Sequence, residues 1–338
     1  MGNKTFIIAE LSANHNQDKE LALKTIKAAA ETGADAIKLQ TYTADTITLD
    51  CDNEYFQIKQ GTVWDGTTLH KLYQTAYTPW EWHKELFDYA RSLGLVCFSS
   101  PFDKTAVDFL ETLDNPIYKI ASFEITDIPL IEYIGSKKKP VIFSTGIADI
   151  DDIEEALLTL KNSGCTDITM LKCTSSYPAP IEEANLLTIP DMKQRFGVKV
   201  GLSDHSIGSI VAVAAVALGA EVIEKHFILD RKMGGPDAGF SMEPAQFKEM
   251  VDSIRSVEKA LGKPDYELTE KKQKNREFSR SLFVAEDIKR GELLTEINIR
   301  SVRPGYGLHP RHFCEIIGKK ATKDVVKGNP VDWDIVES

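Results

Sequence analysis

Two histidines end consecutive apolar runs in the second half of the chain. His205 follows the run Val198–Leu202, and His226 lies near the end of the run Glu221–Phe227, with the apolar stretch Ile210–Leu218 between them. If the runs are neighbouring parallel strands joined by a short helix, both imidazoles lie on the same rim of the sheet. Neutral imidazoles with carboxylates nearby are ligands that divalent transition metal ions prefer. The spacing therefore predicts a metal site; the alternative is a pair of buried histidines satisfied by other hydrogen bonds.

Lysines, hydroxyl groups and carboxyl groups follow most of the other apolar runs. Two lysines and several hydroxyls on one rim would form a cradle for a small anion that carries both a phosphate and a carboxylate. A metal ion beside this cradle would polarise the carbonyl group of a second substrate. The combination predicts a reaction between an enol phosphate and an aldehyde. The rim residues include Glu10, Lys38, Gln40, Ser100, Lys119, Ser122, Glu124, Ser144, Thr174, Ser175 and Tyr177.

These residues need a scaffold that brings the ends of many strands together. Amphipathic helical patterns such as Glu20–Thr32, Trp80–Leu93 and Pro244–Leu261 alternate with strand-like apolar runs over residues 1–264. Eight such units predict an α/β fold, the (β/α)8 or TIM barrel, in which the chemistry belongs at the carboxyl ends of the strands. The predicted strands are Phe6–Leu11, Ala36–Gln40, Leu95–Ser99, Ile117–Ile120, Val141–Ser144, Ile168–Lys172, Val198–Leu202 and Val222–His226.

Three segments depart from the barrel repeat. The connection from Tyr42 to Thr78 is too long for it and carries Trp64, which predicts an insertion that covers the substrate. Residues 265–278 are polar and charged and predict a linker. Within residues 279–338, Asp287–Gly291 is echoed by Asp324–Gly328. This echo predicts a small β-rich domain with two similar halves.

Composition limits the classes of function. The chain has 338 residues and a net charge of -11, which disfavours a general role in binding nucleic acid or a membrane surface. Its five cysteines include no CxxC pair and favour a reducing cytosol over a disulfide framework. The sequence has neither a signal-peptide pattern nor an apolar run of membrane-spanning length. We therefore expect a cytoplasmic enzyme with no nucleic-acid or membrane partner.

Several of these motifs together resemble the sialic acid synthase family. They are Glu10-x-x-x-Asn14-His15, Ile37-Lys38-x-Gln40, Tyr118 to Glu124, Ser144-Thr145-Gly146, Cys173-Thr174-Ser175-x-Tyr177-Pro178, Gly201 to His205 and Glu224 to Phe227. The resemblance extends over nearly the whole chain, since the tail is similar to that family's antifreeze-like (SAF) domain, with Arg303-Pro304-Gly305 in the expected place. It implies a transferase that condenses phosphoenolpyruvate with an amino-sugar aldehyde and water and releases phosphate by C–O cleavage.

The resemblance also implies a role for each matching residue. His205 and His226 would hold a divalent metal ion, Mn²⁺ or Mg²⁺ with Co²⁺ as a further option, and Glu224 would reach it through water. The catalytic candidates are Glu10, which would stabilise the developing oxocarbenium or activate the water, Glu124, which competes for that role, and Tyr177, which contacts the sugar. Residues expected to bind phosphoenolpyruvate are Lys38, Ser100, Lys119, Ser122, Ser144 and Ser203. Those expected to contact the sugar are Gln40, Ser175, Asp237 and Arg303.

Details of the motifs favour one acceptor sugar. In N-acetylneuraminate synthases an asparagine that faces the sugar usually stands at the position of Ser175. The Trp64-Asp65 insertion and the segment Phe98–Phe102 match family members that take a 2,4-diacetamido-2,4,6-trideoxy-altropyranose. That acceptor is therefore expected, and N-acetylneuraminate or legionaminate formation by the same chemistry is the alternative.

An alternative from another class is a Schiff-base aldolase on the same barrel, with Lys119 or Lys172 as the nucleophile. Two strand-end histidines beside an anion cradle favour metal-assisted condensation instead. We expect that treatment with pyruvate and borohydride leaves the mass of the protein unchanged. A stable covalent adduct on a lysine would identify the aldolase.

The resemblance further implies a homodimer with exchanged tails. Arg303 lies in a turn-rich loop of the tail, and in related synthases this arginine reaches the sugar in the barrel of the partner subunit. We therefore expect the tail of one chain to cap the active site of a second chain and to help exclude water.

Overall fold

The computed structural model describes residues 4–59, 61 and 64–338. The chain divides into two compact units, Met1–Gly262 and Lys263–Ser338, and each is described by itself. The predicted end of the barrel is residue 264.

In the described part of the first unit, eight parallel strands form a closed barrel in sequence order, and the last strand pairs with the first. The predicted (β/α)8 fold is therefore confirmed. Each observed strand begins and ends within two residues of its predicted limits. The strands are β1 (Phe6–Glu10), β2 (Ala36–Thr41), β3 (Val96–Pro101), β4 (Tyr118–Ile120), β5 (Val141–Ser144), β6 (Ile168–Cys173), β7 (Lys199–Asp204) and β8 (Val222–His226).

Helices separate the strands, and several of them begin at capping residues typical of helix starts. The Asp18 side chain, for example, accepts hydrogen bonds from two backbone amides of the first helical turn. The α-helices are α1 (Lys19–Glu31), α2 (Ala44–Ile47), α3 (Leu69–Ala76), α4 (Trp80–Ser92), α5 (Lys104–Glu111), α6 (Ile128–Ser136), α7 (Ile150–Asn162), α8 (Thr188–Phe196), α9 (Ile210–Ala217), α10 (Pro244–Leu261), α11 (Glu270–Asn275) and α12 (Phe313–Ile316). Short 3₁₀ helices cover Ser122–Glu124, Ile181–Glu183, Arg231–Met233, Arg276–Phe278, Pro310–His312 and Trp333–Ile335.

The barrel wall has an apolar layer on its inner side. Alternate residues such as Ile7, Ile37 and Ile223 face outward and join the large core between strands and helices. Gly201 occupies the corresponding position on β7. A Cβ there would lie 2.3 Å from the Val222 carbonyl oxygen, so no larger residue fits. On each strand, the residue two positions after a member of this inner layer must also point into the barrel, closer to its carboxyl end. The inner layer consists of Ile8, Ala36, Phe98, Ile142, Leu171 and Val222, with Ile117 packed against it.

The long connection after β2 contains α2 and α3. His70 Nε2 on α3 lies 2.9 Å from Asp45 Oδ1 on α2 and joins the two helices. Trp64 Nε1 donates a hydrogen bond to the Pro236 carbonyl oxygen at 3.1 Å, so the insertion extends to the loop after β8. Residues 60, 62 and 63 of this connection lie outside the described ranges.

The second unit is small and rich in β-bridges. Strands β9 (Ser281–Val284) and β10 (Ile299–Val302) pair in antiparallel fashion over their own apolar core. The echoed motifs form matching halves: Asp287 Oδ1 accepts from the Lys327 amide at 2.8 Å, and Asp324 Oδ1 accepts from the Arg290 amide at 2.9 Å. The repeat in the sequence thus corresponds to a pair of reciprocal contacts in the fold.

Within the described ranges, none of the helices has the length and apolarity that crossing a membrane requires. The five cysteines all fall in these ranges, and each carries a free thiol.

Candidate active site

A polar ring lies one step above the inner apolar layer of the barrel. Each member comes two residues after a residue of that layer, or after Gly201, and therefore points into the barrel. None is more than 5% exposed. Seven of the ring's eight members were predicted site residues, and the eighth, Cys173, was not. Its members are Glu10, Lys38, Ser100, Lys119, Ser144, Cys173, Ser203 and Glu224.

Two lysines and two carboxylates of the polar ring form a continuous charged group. Lys38 Nζ lies 2.6 Å from Glu10 Oε2 and 3.8 Å from Glu224 Oε2. Lys119 Nζ lies 3.9 Å from Glu224 Oε1 and donates a hydrogen bond to Ser144 Oγ at 2.7 Å. Glu224 thus lies between the two lysines. The ammonium groups are already ordered, so an anion that binds them need not organise them.

The charged groups of the polar ring differ in their proton affinity. Burial lowers the pKa of both ammonium groups, but Glu10 and Glu224 outweigh this effect at Lys38 and raise its pKa. At Lys119 burial prevails over Glu224, and the pKa is lowered. Burial raises the pKa of Glu10 against the opposing charge of Lys38, whereas at Glu224 the two lysines overcome burial and lower the pKa. Of the two carboxyl groups, Glu10 is the better proton acceptor.

Side chains from β6 and from the loops after β4 and β6 surround Gly146. The Gly146 amide donates a hydrogen bond to Ser122 Oγ at 3.1 Å. A Cβ at Gly146 would lie 2.1 Å from Ser175 Oγ, 2.8 Å from Ser122 Oγ and 2.9 Å from Cys173 Sγ, so glycine is required for their approach. The sequence could have indicated Cys173, because it lies two residues after Leu171 on the same strand and therefore points to the same side.

The two histidines lie side by side where β7 and β8 end. Their ring centroids are 5.3 Å apart, and His205 Nδ1 lies 3.0 Å from the Thr174 carbonyl oxygen. His226 Nδ1 is enclosed and has no hydrogen-bond partner among the described residues, with Asp237 Oδ2 at 3.9 Å. In the described part of the chain, no three His, Cys, Asp or Glu side chains are arranged to hold a metal ion. The pair itself offers two imidazoles, so an ion bound there would need its remaining ligands from water or substrate.

Aromatic rings enclose the histidine pair on one side. The Tyr177 ring lies 4.5 Å from that of His205, and the Trp64 ring of the insertion lies 5.6 Å from Tyr177. Phe240 was not among the predicted site residues, yet its ring centroid is 4.9 Å from that of His226 and 5.1 Å from that of Tyr177. No motif singled it out, since Phe240 lies in a loop without a periodic pattern.

Two further predicted residues flank the polar ring near β1. Gln40 Nε2 donates hydrogen bonds to Glu10 Oε1 and Ser12 Oγ, both at 2.9 Å. Asp237 Oδ2 accepts a hydrogen bond from the Ala13 amide at 3.3 Å. Burial raises the pKa of Asp237. Both side chains are therefore held by the loop that follows β1.

Glu124 and Arg303 are not members of the polar ring. Glu124 is half-buried at the end of the 3₁₀ helix after β4, and its enclosed Oε2 has no hydrogen-bond partner among the described residues. Burial raises its pKa to about 7 against the opposing charge of Lys119. Arg303 belongs to the second unit and is exposed there. The roles of both residues stay predictions.

Comparison with known proteins identifies the class. Residues 25–266 match the model of the NeuB family, and residues 279–337 match the SAF domain. The chain belongs to the NeuB family.

Individual relatives extend this match over almost the entire chain. It is 51% identical to the pseudaminic acid synthase of Campylobacter jejuni over 96% of this chain and 95% of that protein. It is 49% identical to the pseudaminic acid synthase of Helicobacter pylori over 98% of this chain and 97% of that protein. Identity to the N,N'-diacetyllegionaminic acid synthase of Campylobacter jejuni is 41%, over 95% of this chain and 97% of that protein.

Proposed function

We propose that this chain catalyses the pseudaminic acid synthase reaction in the cytoplasm. Phosphoenolpyruvate condenses with the open-chain aldehyde of 2,4-diacetamido-2,4,6-trideoxy-altropyranose, water adds, and pseudaminic acid and phosphate are released. The observation that carries the proposal is the buried polar ring beside the histidine pair, in which two lysines and several hydroxyls face the same space. The higher identity to relatives named for pseudaminic acid than to the one named for legionaminic acid supports this acceptor.

The histidine pair fits a divalent metal ion. An enclosed imidazole nitrogen without a hydrogen-bond partner, as at His226, is costly unless a ligand supplies the missing interaction. His205 and His226 would hold the ion, Mn²⁺ or Mg²⁺ with Co²⁺ as a further option, and Glu224 would interact with it through water. When bound, the ion would supply Lewis-acid polarisation of the aldehyde oxygen.

The lysines bind and hold phosphoenolpyruvate in the proposed reaction. Lys38 and Lys119 neutralise its phosphate and carboxylate, while hydroxyl groups of the polar ring and of Ser122 fix its orientation. C3 of the enol attacks the aldehyde carbon, and positive charge develops at C2. The aldehyde oxygen takes up a proton and becomes a hydroxyl group. Water adds at C2 and gives up one proton, and phosphate then leaves with cleavage of the C2–O bond, taking the second proton of the water as the C2 carbonyl forms. The same ammonium groups stabilise the charge of the departing phosphate.

Glu10 is our candidate for the group that acts at C2. Its carboxylate lies in the polar ring, and its raised pKa suits it to accept a proton from the attacking water. Glu124, with a pKa of about 7, is the competing candidate. Gln40, Ser175, Tyr177 and Asp237 orient the sugar in this proposal.

A panel of acceptors tests the function. Purified protein with phosphoenolpyruvate and Mn²⁺ is expected to release phosphate fastest with the altro-configured diacetamido sugar, compared with its gluco-configured counterpart and N-acetylmannosamine. The reason is that the sugar-binding residues are expected to distinguish configuration and the second acetamido group. Preferred turnover of N-acetylmannosamine would contradict the acceptor and leave the chemistry standing. Phosphate release with none of the sugars would contradict the function itself.

Removing either lysine of the polar ring should weaken phosphoenolpyruvate binding selectively. Lys38→Ala and Lys119→Ala are each expected to raise the KM for phosphoenolpyruvate about tenfold or more, because a charge-assisted bond in a closed site contributes roughly 1.5–3 kcal/mol. The KM for the sugar should change much less. Lys172→Ala is the matched control, since Lys172 Nζ donates instead to Thr174 Oγ1 at 2.7 Å and to the Glu183 carbonyl oxygen at 3.2 Å.

The lysine variants need a check of folding. Lys38→Ala leaves the Glu10 carboxylate buried without its cation, which is destabilising. Thermal unfolding midpoints therefore accompany the kinetics. An unchanged phosphoenolpyruvate KM in both folded variants would remove these lysines from the site.

We also propose that the active form is a homodimer with exchanged tails, in which Arg303 of one chain completes the sugar site of another. In its own unit the loop carrying Arg303 is held firmly: Ser281 Oγ donates to the Pro304 carbonyl oxygen at 2.7 Å and accepts from the Gly307 amide at 2.9 Å. Such a loop presents one guanidinium in a fixed position, which suits recognition of a polar ligand.

A further inference from the structure

A second charged pair lies next to the histidines but on the other side of the barrel wall. Asp204 and Lys225 are register partners in the ladder between β7 and β8, and each directly precedes one of the histidines, His205 or His226. Successive residues of a strand point to opposite faces. The imidazoles therefore lie on the inner side, and the charged pair lies on the outer side, toward the helices.

The pair is fully buried and its charged atoms are satisfied. Lys225 Nζ lies 2.7 Å from Asp204 Oδ2, with side chains 0% and 2% exposed, respectively. Lys225 Nζ also donates to the Ser206 carbonyl oxygen at 2.6 Å. Asp204 Oδ1 accepts from the Ser206 amide at 2.9 Å and from Ser206 Oγ at 2.7 Å. The network thus holds the chain immediately before and immediately after His205.

The ladder itself does not fix His205. Pairing between β7 and β8 ends at Asp204 with Lys225, and β7 ends there as well. The direction in which the chain continues must therefore come from contacts outside the ladder. The hydrogen bonds of Ser206 to both charged side chains provide such contacts, and they tie the turn after β7 to β8.

Energetics favour a positioning role over a purely stabilising one. Taking two charges out of water costs several kcal/mol per ion, and well-packed apolar residues in place of a buried ion pair are often as stable or more stable. An ion pair fixes the orientation of the groups it joins, because its hydrogen bonds specify one geometry. Apolar side chains do not. Here the fixed geometry is that of the two strand ends that carry the imidazoles.

We propose that Asp204 and Lys225 are positioning residues that set the separation and orientation of His205 and His226 for metal binding. This inference rests on the proposed metal site. The pair acts on the metal through the backbone of the two histidines and touches neither the metal nor the substrates. Outer groups that orient metal ligands typically change metal affinity by about 10- to 100-fold when they are replaced.

The test measures Mn²⁺ affinity without substrates, by electron paramagnetic resonance of the free ion, together with the thermal unfolding midpoint. An Asp204→Asn, Lys225→Met double variant removes both charges and keeps an acceptor for the Ser206 amide. We expect it to fold with an unfolding midpoint close to the original and to bind Mn²⁺ about tenfold more weakly or worse. A folded double variant with Mn²⁺ affinity within about twofold of the original would overturn the inference.

A control variant and a milder variant distinguish a local effect on the histidines from a general loss of stability. Asp35→Asn, Arg255→Met removes a pair at the amino end of the barrel, in which Arg255 Nη2 lies 2.6 Å from Asp35 Oδ2, and should leave Mn²⁺ affinity unchanged. If the double variant at Asp204 and Lys225 does not fold, Ser206→Ala decides the question. It removes one hydrogen bond to Asp204 and should weaken Mn²⁺ binding about threefold; an unchanged affinity there would overturn the inference. If the original protein itself binds no Mn²⁺, the proposed metal site is wrong, and the inference falls with it.

Discussion

A His205→Ala, His226→Ala double variant is expected to lose at least about a thousandfold in phosphate release with Mn²⁺ present, because Lewis-acid stabilisation is worth several kcal/mol and each 1.36 kcal/mol is tenfold in rate. The same variant should bind no Mn²⁺ in a titration without substrates. For the original protein, EDTA should abolish turnover and added Mn²⁺ should restore it.

The control for this experiment is His312→Ala. His312 lies in the second unit, where Nδ1 is 2.9 Å from Glu315 Oε2, and its loss should change neither Mn²⁺ binding nor turnover. Full activity of the double histidine variant in EDTA would refute the metal site.

The metal site also predicts the direction of the pH dependence. A metal-binding imidazole must be neutral, so protons compete with the metal as the pH falls. Burial lowers the pKa of His205, but the neighbouring Cys173 and the Thr174 carbonyl outweigh burial and raise it. The pKa of His226 is lowered by burial and by the charge of His205. When Mn²⁺ is limiting, turnover should therefore fall with decreasing pH through the pKa of His205, which lies above the ordinary histidine value of about 6.5. A pH–rate profile that stays flat from about pH 8 to about pH 5.5 would contradict this.

The sequence was sufficient for the barrel because local periodicity reports burial directly. Runs such as Val141–Ser144 and Val222–His226 have the same limits in the structure as in the prediction. The predicted end of β7, Leu202, was too early because Ser203 and Asp204 are polar and resemble loop residues. In the structure Ser203 Oγ donates to Glu224 at 2.9 Å and Asp204 pairs with Lys225, so both remain in the strand.

The sequence was not sufficient for contacts made across the barrel. The approach of Glu224 on β8 to Lys119 on β4 depends on how the closed barrel staggers its strands, which no local pattern records. The same limit applies to Phe240, whose contacts with Tyr177 and His226 come from a loop. The type of chemistry at the strand ends could therefore be predicted from the sequence, whereas the contact partners of each side chain could not.

Mixing two impaired variants, assayed at phosphoenolpyruvate concentrations far below the raised KM of Lys119→Ala, should restore activity if tails are exchanged between chains. Arg303→Ala is expected to lose the sugar contact, and Lys119→Ala is expected to lose the phosphoenolpyruvate contact. In a mixed dimer, the barrel with an intact Lys119 would receive the tail with an intact Arg303. Half of each mixed dimer would then be active, so that after complete random exchange activity should return to about a quarter of all sites.

The controls for this mixing experiment address exchange and specificity. Native mass spectrometry of differently tagged chains establishes that subunits exchange. Arg311→Ala removes another exposed arginine of the second unit. This variant should retain full activity, because it loses only a surface charge. If subunits exchange and no activity returns, Arg303 acts within its own chain or does not act at the site. At these low phosphoenolpyruvate concentrations each protein preparation alone has little activity under the proposal, since in it every barrel lacks either its own lysine or the arginine of a neighbouring tail.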